Sequence, residues 1–95
     1  FPVASPVTYE NGWQEGHGIV WNCSHTGWRL SGNLPLALGD ICSFTVRLPQ
    51  HPPISVLVGV VRWVRGEDVG IETLAMEGKS QAHLGKYIRE RMKEL

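Results

Sequence analysis

Ile54-Ser55-Val56-Leu57-Val58-Gly59-Val60-Val61-Arg62-Trp63-Val64 is the strongest β-forming run in the chain, and its reading decides the fold. It is rich in valine, and around Leu57–Val61 apolar residues fall on both faces. A half-buried strand alternates; a strand covered on both sides, or curled into a small barrel, does not. Gly59 in its middle marks a bend, a bulge or a close backbone approach.

Outward from this run, the flanking segments are short and also β-forming. Pro49 to Pro53 breaks the chain into a hairpin-like connection. Before it, Ile41, Ser43, Thr45 and Arg47 alternate with Cys42, Phe44, Val46 and Leu48, a two-residue period. Ser31 to Leu38 reads as loop, with Gly32, Asn33 and Pro35. Gly27-Trp28-Arg29-Leu30 begins a short strand. Residues 13–22 alternate weakly, with Ile19 and Trp21 on one face and Gly18, Val20 and Asn22 on the other. Glu10-Asn11-Gly12 is a turn signal. Phe1 to Tyr9 leans toward strand, and Pro2 and Pro6 confine it to a sheet edge or an entry stretch.

Downstream, Gly66-Glu67-Asp68 turns the chain into a last short strand, Val69 to Leu74. The period then changes. Leu84, Tyr87, Ile88, Met92 and Leu95 form one apolar stripe on a helix from Ser80 to Glu94, with Ser80 as its N-cap. Gly85 costs that helix about 1 kcal/mol relative to Ala, so packing must hold it. The expected architecture is mainly β: a small six-stranded antiparallel barrel over residues 3–74, with a C-terminal amphipathic helix over 80–94. A barrel removes exposed strand edges, and the helix covers an opening.

Ninety-five residues make one domain with a modest core. Hydrophobic residues at 42% and charged residues at 19% describe an ordinary globular chain, and no apolar run is long enough to span a membrane. Nine cations balance nine carboxylates, which argues against a nucleic-acid binder working by counterion release. The balance is uneven, net −2 over residues 1–74 and +2 over 75–95, the latter a solvated helix face. Cys23 and Cys42 make neither a disulfide framework nor a metal site; buried reduced thiols are expected, which suits a cytoplasmic location.

The motif that carries chemistry is Asn22-Cys23-Ser24-His25-Thr26-Gly27, between two strands. Asn and Ser side chains bond local backbone, and Gly adopts a φ closed to other residues. The spacing resembles the Asp/Asn-x-Ser-x-x-Gly signature of PilZ domains, bacterial receptors for cyclic di-GMP. Two further stretches resemble that family: the long strand with its Gly59–Trp63 end, and Val69-Gly70-Ile71-Glu72. Order and spacing agree over residues 17–74, and the C-terminal helix agrees too.

The resemblance implies a cyclic di-GMP site at Asn22, Ser24, Gly27 and Trp63. Asn22 would bond a guanine or ribose edge and Ser24 would add a hydroxyl contact. Gly27 would let backbone close on the nucleotide, and Trp63 would stack on a base, worth about 1–3 kcal/mol. The alternative for Trp63 is a core or rim aromatic. Trp13, Trp21 and Trp28 read as structural. No resident cofactor or metal is implied. The partner would be another protein or an adjoining domain, which senses the ligand.

The family's Arg-x-x-x-Arg motif should lie upstream, yet residues 1–21 hold no arginine or lysine. Two charge-assisted contacts at about 1.5–3 kcal/mol each would be missing. That is a loss on the order of a hundred-fold to ten-thousand-fold in affinity. The chain, which starts at Phe1, is expected to lack an N-terminal arginine linker that the longer protein carries. The alternative is a degenerate PilZ-like adaptor that binds no nucleotide and acts by protein contacts. An enzyme is not expected: adjacent Ser24 and His25 point apart on a strand, and Asp40 and Glu72 show no acid–base spacing. Neutrality and the lack of a basic-aromatic face disfavour an RNA-binding barrel.

Overall fold

The computed structural model describes residues 1–94. Six strands precede one helix: β1 (Pro2–Glu10), β2 (Glu15–Cys23), β3 (Gly27–Gly32), β4 (Ile41–Val46), β5 (Ile54–Arg65), β6 (Asp68–Met76) and α1 (Gly78–Met92). They close a barrel in the order β1-β2-β3-β6-β5-β4, every neighbouring pair antiparallel. The long valine-rich strand pairs with β4 on one side and β6 on the other, and three register shifts against β6 interrupt its alternation. At Gly59 the register shifts, and a Cβ there would crowd the Ile71 side chain. Gly66, at φ +65°, turns β5 into β6 over two residues, as a tight hairpin requires.

The interior is one continuous apolar cluster. Val20, Val46, Ile54 and Val56 line it from the barrel, and Leu84, Tyr87 and Ile88 reach it from α1. Each such side chain contributes about 1.5–3 kcal/mol on full burial. Three of them outweigh the cost of Gly85, itself buried in the helix, so tertiary packing holds α1 as expected. Cys42, Phe44 and Val46 face in while Ile41 is exposed, matching the two-residue period. No helix among the described residues is long and apolar enough to cross a membrane.

Several boundaries differ from the sequence reading. β1 is not an edge strand along its whole length: Val7 to Glu10 pairs with both β2 and β4, and only the proline-bearing first half is left on one partner. β3 continues to Gly32 and β6 to Met76. The helix starts two residues early, at Gly78, and Ser80 is not its cap. The Ser80 hydroxyl is buried inside the first turn, where it accepts from the Ser55 backbone N–H at 3.0 Å. The apolar stripe stops at Ile88, since Met92 is exposed and Leu95 lies outside the described residues. Trp13, 96% exposed at the β1–β2 hairpin, supports no core.

Candidate functional site

Four residues from four strands lie in one transverse row of the barrel wall. Asn22 on β2 pairs with Arg29 on β3, Arg29 with Gly70 on β6, and Gly70 with Trp63 on β5. Two β-bulges bring the row to the outer face. In β2 the register shifts between Val20 and Asn22, so Val20 and Cys23 are buried and the two residues between them turn outward. In β5 it shifts between Val61 and Trp63, placing Arg62 and Trp63 outside together. An extra residue that re-aims a side chain is what a bulge supplies. The sequence reading put Trp21 and Asn22 on opposite faces because a bulge breaks the two-residue period.

Below this row runs the next one, Cys23, Trp28, Ile71 and Val61, all buried. Trp28 fixes it: the ring meets Phe44 edge-on at 5.3 Å, and Nε1 donates to Thr73 Oγ1 at 2.9 Å. Burial raises the Cys23 thiol above its ordinary pKa, against the lowering pull of the N-terminal ammonium and Arg91. Between this floor and the outer row opens a cleft of about 440 Å³. Asn22, Ser24, Gly27 and Trp63 all line it, joined by Arg29 and Arg62.

The turn forms one wall. Ser24 N–H donates to Gly27 O at 2.9 Å, and Ser24 Oγ accepts from the N–H groups of Gly27 (3.1 Å) and Thr26 (3.4 Å). The Ser24 lone pairs therefore build the turn, while its proton has only a 3.4 Å contact with Gly27 O. Gly27 does not adopt the left-handed φ that the sequence reading assigned it. A Cβ there would sit 3.6 Å from Ile71 O and 3.8 Å from Ser24 Oγ, ordinary contacts, so the fold itself does not demand glycine.

Opposite, Trp63 lies across Gly70, where any Cβ would overlap the indole Nε1. Arg65 covers the ring at 5.5 Å, yet Trp63 remains 38% exposed. It is a rim aromatic with part of its surface turned to the cleft. Of the other tryptophans, Trp28 is buried, and Trp21 is held on the surface by Nε1 donating to Ser31 Oγ at 2.8 Å.

Both cleft cations are balanced by carboxylates. Arg29 Nη1 reaches Asp68 at 3.1 Å and Arg62 Nε reaches Glu72 at 2.7 Å. Arg29 also bonds Asn22: with the amide oriented to satisfy its neighbours, Oδ1 accepts from Nε and Nη2, each at 3.0 Å. Sequence alone does not single out Arg29 and Arg62. The strand register that selects them is not visible along the chain. Phe1 completes the cleft. Its ammonium donates to Cys23 O at 2.8 Å, and Cys23 N–H returns a bond to Phe1 O at 2.9 Å.

This barrel is similar to that of the Bacillus subtilis inhibitor of motility (MotI/DgrA), with a TM-score of 0.79 at 20% identity. The match covers 98% of this chain and 49% of that one, so the chain spans about half the length of the protein it resembles. At that identity the likeness speaks for the fold alone. No curated protein matches the chain. The PilZ domain family matches residues 1–90, which take in the whole barrel and nearly all of the helix: the chain belongs to the PilZ domain family.

Proposed function

We propose that this domain is a cyclic di-GMP receptor that passes ligand binding to a partner protein or an adjoining domain. The observation that carries the reading is the gathering of Asn22, Ser24, Gly27 and Trp63 around one cleft, on an outer face prepared by two bulges. Each has matching chemistry. Asn22 offers amide donors, the Ser24 proton, engaged only by the 3.4 Å contact with Gly27 O, can turn to a phosphate oxygen, and Trp63 offers a stacking surface. Gly27 is a glycine that the fold does not require, which fits close approach of a ligand to backbone.

The charge balance says what else is needed. Cyclic di-GMP carries two negative charges, and Arg29 and Arg62 already serve Asp68 and Glu72. Further cations must come from elsewhere, and Phe1 holds the start of the chain against the cleft. An arginine-bearing segment preceding Phe1 would enter at this point and become ordered on ligand binding, an order–disorder switch.

The test is calorimetric titration of the full-length native chain with cyclic di-GMP. Saturable binding at micromolar affinity or tighter is expected. Gly27→Ala should weaken it at least ten-fold while leaving the melting temperature unchanged, because the added methyl fits the fold and intrudes on the cleft. Absence of binding by the full-length chain overturns the reading. The internal pairing of both cleft arginines favours one second reading, an adaptor acting through protein contacts alone. A native upstream sequence without paired arginines, together with a retained protein partner, would establish it.

A further inference from the structure

Arg29 uses three of its nitrogens on two side chains, Asp68 and Asn22, which bears on what the cleft can recognise. Its Nη1 is held by Asp68 on β6, and its Nε and Nη2 both converge on Asn22 Oδ1 across the β2–β3 ladder. A guanidinium is planar and carries no acceptor, so a fork anchored at both ends fixes the plane of the amide it grips. The amide oxygen of Asn22 is thereby consumed. Its two N–H donors take no partner among the described residues, and Asn22 lines the cleft.

We infer that Arg29, braced by Asp68, is a positioning residue that locks Asn22 as a donor-only contact, so that this position reads hydrogen-bond acceptors on the ligand and ignores its donors. The inference rests on the nucleotide-receptor reading for its ligand. An asparagine free to rotate would present either its oxygen or its N–H groups to a base edge. Locked, it addresses acceptors such as a purine O6 or N7 or a phosphate oxygen, and contributes nothing to an exocyclic amine. An aspartate in its place would keep the bond to Arg29 through one oxygen and offer the other to the ligand. That exchanges a donor for an acceptor at the same point of the cleft.

Two measurements on the full-length chain test this. The first needs no ligand: the Asn22 side-chain 15N–1H2 group should have a high heteronuclear NOE, close to that of the β2 backbone. Arg29→Met, and more mildly Asp68→Asn, should lower it while the backbone amides of β2 and β3 stay rigid. An Asn22 amide equally ordered in both variants overturns the lock. The second compares cyclic di-GMP with its inosine analogue, which lacks only the exocyclic 2-amino groups. Asn22→Asp should weaken both nucleotides at least ten-fold and by the same factor, because a carboxylate oxygen then faces the acceptors that the amide served. An Asn22→Asp variant that keeps wild-type affinity for cyclic di-GMP, or that loses the inosine analogue more than cyclic di-GMP, overturns the donor-only assignment. If the wild type binds neither nucleotide, the receptor reading fails by itself, and the NMR comparison still decides whether Arg29 positions Asn22.

Discussion

Gly70 and Trp63 show how a single missing side chain shapes the site. The indole occupies the space a Cβ would fill, so Gly70→Ala must push Trp63 off the strand. Overpacking of this kind costs about 1–3 kcal/mol. Urea denaturation should show that loss, with a change in tryptophan emission; a variant as stable as the parent would place the indole elsewhere. Cys42 makes a second prediction at this scale. Burial, with Asp40 adding to it, pushes its thiol up from an ordinary 9.0 to about 11. A raised folded-state pKa means that the unfolded chain releases its proton first. The contribution is complete below pH 9 and is lost as pH rises through about 11. Stability measured from pH 8 to 11 should fall, and Cys42→Ala should reduce the slope. Cys23 and Tyr9, also raised by burial, act in the same direction.

Among the elements, α1 is linked to the barrel by a buried polar contact. Ser80 Oγ is buried and satisfies the Ser55 N–H on β5. Ser80→Ala leaves that donor without a partner at a cost of about 1–3 kcal/mol. Hydrogen exchange should then quicken across α1 and at Ser55 before it quickens in β2 or β3; uniform exchange would argue against a local link. The elements also show which parts of the structure could be read from sequence. The valine run, the Gly66 hairpin and the change of period at the helix were legible because each rests on local rules of spacing and φ. Asn22, Ser24, Gly27 and Trp63 were legible only as a motif resemblance. Their meeting in one cleft depends on bulges at Trp21 and Arg62, which shift the register without leaving a local signal. Ser80 was misread for a related reason: a serine near a helix start looks like a cap, and its strand partner lies 25 residues away.

For the whole molecule, the barrel carries its stability inside, and some conspicuous residues contribute none. Trp13 is large and apolar, yet its exposure leaves it no core to support. Trp13→Ala should change unfolding free energy by less than about 0.5 kcal/mol. A larger loss in thermal or urea melts would mean that the hairpin tip packs in solution. Closure of the sheet also limits how the domain can be read by other proteins. In an open sheet, a border strand offers its backbone to an incoming chain, and such recognition tolerates most side-chain changes. Here every strand has two neighbours. The stretches paired on a single side are strand ends of a few residues, among them Trp63 to Arg65 on β5 and the start of β1, the latter blunted by Pro2 and by Ala4 at φ +67°. A partner therefore finds no full-length backbone ladder to extend and must rely on side chains, so the surface it uses will be one that point substitutions can erase.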